Sequence, residues 1–407
     1  MSGPLAHLRV LDLSRVLAGP WAGQTLADLG ADVIKIERPG CGDDTRHWGP
    51  PYLKAADGTP TGEAAYFLSA NRGKRSVTVD FTRPEGQAIV RALAAQSDVL
   101  LENFKVGGLA QYGLDADSLR ALNPRLIYCS VTGFGQDGPY RDLPGYDFMI
   151  QGMGGLMSLT GQPDGTPGGG PVKVGVALAD VLTGLYATIG VLAALAHRER
   201  SGEGQHVDLA LLDVQVAVLA NQALNYLTTG CAPQRLGNAH PNIVPYQTFA
   251  AADGHLILAV GNDAQFARCC AVLGCPELAT DERFATNRAR VAHRAELVPQ
   301  LAGRFATRPR DAWLAALAAA NVPCGPINTL AQVFADPQVR HRQMRVELPH
   351  PLAGTVALVG SPLKLSATPV EYHLPPPQLG EHTATVLAQR LGYTADDLAR
   401  LRAAGIV

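Results

Sequence analysis

The stretch VGVALADVLTGLYATIGVLAAL, residues 174–195, carries one carboxylate, Asp180, among apolar and small side chains, with no lysine or arginine following it until Arg198. An ionised carboxylate buried without a partner is costly, and aspartate is seldom fully buried unpaired. Two readings stand. Asp180 caps a helix that starts at Val181, its side chain bonding free backbone amides; or it is a reactive group kept from water. Other chemistry-bearing residues gather at strand ends. Arg38 follows the apolar run ADVIKIE and could hold a phosphate bidentately, or be a lone surface arginine. The segment ENFK, 102–105, places Asn103, Phe104 and Lys105 where an apolar strand ends. An adenine could stack on Phe104 and a phosphate could meet Lys105, or the strand simply runs out into solvent. TGFGQDGPYRDLPGYD, 132–147, is a long Gly/Pro turn of the kind that meets a ligand backbone-first.

Several chemistries find no support. The turn SRVLAGPWAG lacks the Gly-x-Gly-x-x-Gly spacing of a dinucleotide site. No nucleophile elbow, P-loop or His-Glu-x-x-His pattern occurs. Seven scattered cysteines form no Cys-x-x-Cys pair and fit buried thiols in a reducing cytoplasm, and no metal is expected. A net charge of −2 without basic runs gives no reason to expect nucleic acid or an anionic membrane as partner. The start, MSGPLAHLRVLDLS, lacks a signal-peptide pattern, and the apolar segment 174–196 is broken by Asp180, Gly and Thr, as in a core helix.

The elements that position these residues alternate. LRVLDLS (8–14), ADVIKIE (31–37), RSVTVDF (75–81), DVLLENF (98–104) and RLIYCSVTGFG (125–135) read as strands, with helices at 20–30, 83–97 and 116–123 between them. Such alternation predicts an α/β fold with a parallel sheet covered on both faces, and ligands beyond the carboxyl ends of its strands. A Gly/Pro-rich connector after residue 227 leads to the hairpin TFAAADGHLILAVGN and to helices near 264–274, 288–306 and 310–320. The expected organisation is a large Rossmann-like domain (1–224), a smaller α+β domain (225–330) and a C-terminal segment (331–407) that returns to the first.

The ordered motifs VLDLSRVLAGP, GADVIKIERPGCGDDTR, NRGKRSVTVDF, DVLLENF, NPRLIYCSVTGFGQDGPY, GYDFMIQGMGGLMSLTG, VALADVLTGLYATIGVLAAL, HRERSGEGQHVDLALLD and LGEHT span nearly the whole chain and resemble the class III CoA transferases. The resemblance implies transfer of CoA from an acyl-CoA to a carboxylic acid, an interlocked homodimer, and no permanently bound cofactor beyond coenzyme A as substrate. It makes Asp180 the nucleophile. It places Leu17, Ala18, Arg38, Val79, Asp80, Phe81, Thr82, Asn103, Phe104, Lys105, Leu143, Pro144, Gly145 and Tyr146 along the CoA, and Trp48, Tyr140, His240 and Tyr246 near the acids exchanged.

Two departures shape the expectation. Gln111 stands where the family often carries an arginine, so one phosphate contact is weaker or supplied elsewhere. GNAHPNIVPYQ (237–247) stands where formyl-CoA transferases carry a Gly-rich loop, and it resembles the dicarboxylate-using members instead. The closest alternative, an α-methylacyl-CoA racemase, has a His in the segment that reads GYD here. Tyr146 replaces that base, and a phenol of ordinary pKa abstracts an α-proton poorly. A silent CoA-binding protein with Asp180 as a helix cap and an NADP-dependent dehydrogenase are the remaining readings.

Overall fold

A computed structural model describes residues 3–407. The chain divides into two compact units: residues 1–156, 174–224 and 337–407 form the first, and residues 157–173 and 225–336 the second. Residues 157–173, expected in the large domain, fall in the second unit.

The central sheet of the first unit has six strands: β1 (Arg9–Asp12), β2 (Asp32–Glu37), β3 (Lys74–Thr78), β4 (Val99–Glu102), β5 (Ile127–Thr132) and β6 (His206–Ala210). Every pairing is parallel, and the spatial order is β3-β2-β1-β4-β5-β6. This is the Rossmann order, with the direction of winding reversing between β1 and β4. β6 was not foreseen, because its polar residues His206 and Asp208 interrupt the apolar run that marks the inner strands.

Both faces of the sheet are covered, which is why its strands are nearly continuous in apolar residues. Leu11, Ile34, Val77 and Leu100 face a layer formed by Ile89, Val90 and Leu93 with Val386, Leu387, Leu398 and Leu401 of the two C-terminal helices. Val10, Val33, Val99 and Ile127 face α1 (Ala18–Asp28) and the long helix that carries Asp180. A short helix, α2 (Asp147–Met153), precedes that long one, α3 (Leu178–Ser201). α3 is long and apolar enough to cross a membrane by length and composition. Its Ala179, Ala187, Val191 and Ala194 are spent on the core.

Small residues let α1 and α3 approach closely. A Cβ on Gly184 would lie 2.6 Å from the Ala18 carbonyl oxygen and 2.9 Å from Trp21 Cβ. Gly184 is one turn beyond Asp180, so the same approach brings Ala18 beside the first turn of α3.

In the second unit the expected hairpin is present as Tyr246–Ala251 and Gly254–Ala259, and Cys324–Pro326 adds a third antiparallel strand. The helix expected over 288–306 is two, Asn287–Ala292 and Arg294–Phe305. His293 lies between them, its Nδ1 2.9 Å from Glu296 Oε1, a local contact that restarts the helix.

Candidate active site

The long helix begins before Asp180, not after it. Its N-cap is Ala177, and Asp180 is the third residue of the first turn. The helix-cap reading therefore fails. The capping is done from a neighbouring helix: Asp147 Oδ1 accepts from the backbone N–H of Ala179 at 2.8 Å and of Asp180 at 3.4 Å. Asp147 Oδ2 in turn accepts from Gln151 Nε2 at 2.7 Å, and the buried Gln151 takes the N–H of Val174 at 2.9 Å. The sequence signal for this device was an Asp and a Gln four residues apart in GYDFMIQ.

The Asp180 carboxylate itself has no hydrogen-bond or ion partner among the described residues. Burial, and after it the Asp147 charge, push its pKa up from 3.8 to about 7. Tyr66, absent from the sequence-based set, is within electrostatic reach. Burial raises its phenol pKa most, followed by the charges of Asp180 and Asp147. Trp48 packs edge-on against Tyr66 with ring centroids 5.1 Å apart, one ring removed from Asp180.

A cavity of about 230 Å³ contains Asp180. Leu17, Ala18, Asn103, Phe104, Lys105, Leu143, Pro144, Gly145 and Tyr146 line it. The loop that supplies the last four is closed by a glycine pair: a Cβ on Gly133 would sit 2.5 Å from Gly145 Cα. A second cavity of about 610 Å³ collects Arg38, Val79, Asp80, Phe81, Thr82 and Gln111. Arg15, Asp44, Phe104 and Lys105 line both, so the two share a wall. The cavities open where the winding reverses, after β1 and β4, the place at which parallel sheets bind ligands.

The second cavity suits a nucleotide. Phe81, Phe104 and Tyr112 form an aromatic cluster with centroids 5.7 Å apart, and Arg38 is exposed beside it. Arg15, not singled out from the sequence, holds its guanidinium 5.0 Å from the centre of the Phe104 ring. Asp80 is turned inward to its own loop, accepting from Thr82 N at 3.0 Å and Thr82 Oγ1 at 2.6 Å.

Of the expected substrate residues in the first unit, Trp48 and Tyr140 line neither cavity. Tyr140 is exposed, edge-on to Phe134 at 5.6 Å. His240 and Tyr246 belong to the second unit and pair with each other: their rings are 5.2 Å apart, and His240 N donates to the Tyr246 carbonyl at 2.9 Å. Burial, then the charge of Arg294, lowers the His240 pKa.

An unpartnered carboxylate thus lies in a cavity that shares a wall with a second, larger one at the switch point of a Rossmann-ordered sheet. The chain belongs to the CoA-transferase family III, whose model matches residues 5–383. It is similar to a succinate–glutarate CoA-transferase of Agrobacterium fabrum, 56% identical over 386 residues and 95% of both chains. It is also similar to a succinyl-CoA:glutarate CoA-transferase of Mus musculus, 43% identical, covering 99% of this chain and 90% of that one. A crystal structure of a CAIB/BAIF family protein from Brucella suis superposes with a TM-score of 0.84 at 54% identity, over 96% of this chain and all of that one. The protein is thus an enzyme that transfers CoA between carboxylic acids, and the racemase alternative is not favoured.

Proposed function

We propose that Asp180 carries CoA between two acids, taking it from succinyl-CoA and passing it to a dicarboxylate of the size of glutarate. The observation that carries this reading is a carboxylate without a cation, its pKa raised to about 7, inside a cavity continuous in its lining with a nucleotide-sized one. The names of the relatives, with succinate and glutarate as exchanged acids, support the substrate class.

A carboxylate oxygen of Asp180 attacks the thioester carbon, and the tetrahedral oxyanion collapses with release of CoA thiolate. That leaves a mixed anhydride between Asp180 and the donor acid. The thiolate attacks the aspartyl carbonyl carbon, the donor leaves as a carboxylate, and Asp180 is left as a CoA thioester. The acceptor carboxylate runs the same two steps in reverse. No net proton or electron is exchanged, and one hard transfer becomes two easier ones.

The environment of Asp180 serves this chemistry. An ordinary carboxylate is a far better leaving group than a thiolate, so its attack on a thioester is uphill. Raising the Asp180 pKa brings it closer to that of a thiol and lessens that gap. Shelter from solvent also protects the anhydride. Leu17, Ala18 and Leu143 to Tyr146 would hold the pantetheine and thioester. Phe104, Lys105, Arg38 and Val79 to Thr82 would hold the nucleotide.

A second carboxylate needs a cation. Arg141 lines the Asp180 cavity, and its one ion partner among the described residues is the neighbouring Asp142 at 3.6 Å. We assign it to the distal carboxylate of the substrate. His240, Tyr246, Trp48 and Tyr140 stay proposals as acceptor-acid residues. A homodimer accounts for the exposed Phe148, Met149 and Met153 on α2 and Leu185, Tyr186 and Ile189 on α3, an apolar face that water alone does not favour. The absence of disulfides among the described cysteines agrees with a cytoplasmic setting.

The test is a quench in mid-turnover with succinyl-CoA, digestion, and mass spectrometry of the peptide containing residue 180. A CoA or acyl adduct on that peptide is expected, with exchange into glutarate exceeding exchange into butyrate. Arg141→Gln should raise KM for glutarate and leave butyrate unchanged. An unmodified peptide 180 in an enzyme that is turning over would reject the mechanism.

A further inference from the structure

The strained residue of the cavity is Val16. Its φ is +70°, a left-handed conformation that β-branched side chains avoid. Strain of this kind persists only where the surroundings over-determine it, and it concentrates at working sites.

Two side chains hold it from opposite sides. Asp43 accepts the N–H of Val16, with both carboxylate oxygens 3.2 Å from it. Asp43 is itself fixed: Lys35 Nζ lies 2.9 Å from it with both side chains fully buried, and it takes Thr45 N at 3.0 Å and Thr45 Oγ1 at 2.8 Å. Lys35 also donates to the Ser14 carbonyl at 2.7 Å. On the other flank Asn103 Oδ1 accepts from Arg15 N at 2.9 Å and Asn103 Nδ2 donates to the Arg15 carbonyl at 2.7 Å. The amide of Asn103 is thereby spent on backbone. Its side chain ties the loop after β4 to the loop after β1.

What the clamped loop delivers is the start of α1. The cap residue, Leu17, has no side-chain hydrogen bond, and the first helical bond runs from Trp21 N to the Leu17 carbonyl. The N–H groups of Leu17 and Ala18 have no acceptor among the described residues, and both residues line the cavity with Asp180. Ala18 is held against α3 by the close approach at Gly184.

We infer that Asp43 and Asn103 are positioning residues for acyl transfer. They hold Val16 in its left-handed conformation so that the N–H groups of Leu17 and Ala18 meet the oxyanion formed at each attack on or by Asp180. The inference rests on the proposal that Asp180 is acylated. The oxyanion arises twice, at the thioester carbon and at the aspartyl carbon, and preorganised backbone donors stabilise such charge without reorganising.

The experiment compares wild type, Val16→Gly and Asn103→Ala in the full chain. It measures single-turnover labelling of the residue-180 peptide by succinyl-CoA, CoA affinity by calorimetry, and Tm. Glycine accepts the left-handed region without strain but no longer enforces it. Val16→Gly should therefore unfold no earlier than wild type, bind CoA as tightly, and acylate Asp180 about 10- to 100-fold more slowly. Asn103→Ala should likewise lose rate and keep CoA affinity. Wild-type labelling rates in Val16→Gly, or a loss in Asn103→Ala that is wholly in CoA binding, would overturn the inference. Failure of wild type to label residue 180 would instead remove the nucleophile on which it depends.

Discussion

Two aspartates in the first unit show how much a neighbour decides. Asp43 is buried and Asp180 half-buried. Burial raises the pKa of each, but beside Asp43 the buried Lys35 ammonium and the Thr45 donors reverse the sign and hold it at about 2. Beside Asp180 there is no cation, only a second carboxylate, and its pKa stays near 7. One carboxylate is locked as an anion that organises backbone. The other is left with its charge uncompensated. Asp12 belongs with the first: Lys74 Nζ is 2.9 Å away and also donates to the Pro20 carbonyl and Asn71 Oδ1.

Breaking the contrast at its reactive end has the largest effect. Asp180→Ala should abolish CoA exchange, by at least about 10⁴-fold, as expected when a covalent nucleophile is removed. The check is exchange between succinyl-CoA and labelled dicarboxylate. Breaking it at the structural end costs stability as well as rate. Asp43→Asn takes from the buried Lys35 its nearest counter-charge and should lower unfolding free energy by about 3 kcal/mol in urea titration.

Geometry comes next. Gly184→Ala drives a Cβ toward the Ala18 carbonyl and Trp21. It should cost about 1–2 kcal/mol despite alanine's better helix propensity, and slow turnover more than it weakens CoA binding. Asp147→Asn sharpens the comparison by removing the like charge beside Asp180. The acid limb of the kcat–pH profile, expected near pH 7 in wild type, should move to lower pH.

The smallest effect is on stability against pH. The folded chain keeps a proton on Asp180 up to about pH 7, whereas the unfolded chain releases it near 3.8. Between those values the folded state binds more protons, so this group makes stability fall as pH rises. Asp180→Asn should flatten that fall, giving a Tm a few degrees above wild type at pH 8 and little difference at pH 4. Asp43 acts oppositely: its contribution is present above its unfolded pKa and disappears as pH drops toward 2.

Much of the site was legible because its signals are local. Alternating apolar strands and helices specify a parallel sheet, and such a sheet collects its ligand loops at one edge. The resemblance to the class III CoA transferases grouped Leu17, Ala18, Phe104, Lys105 and Leu143 to Tyr146 with Asp180, and the folded chain brings them into one cavity. The oddity of a carboxylate in an apolar helix was equally visible. Its neighbours were not. The partner of Asn103 is the backbone of Arg15, 88 positions away, and the cap of α3 is Asp147, 32 residues before the Ala179 amide it accepts. Tyr66 reads in sequence as an ordinary aromatic in EAAYFLSANRG, and Arg15 as a surface cation.

Sequence alone determined the period of the elements and the parallel sheet, since burial of apolar side chains acts on every segment where it stands. Tertiary structure decided which carboxylate is neutralised and which is not, and which loops are tied together around a strained Val16. Charge compensation and backbone clamping depend on atoms within a few ångströms, and only folding sets those distances.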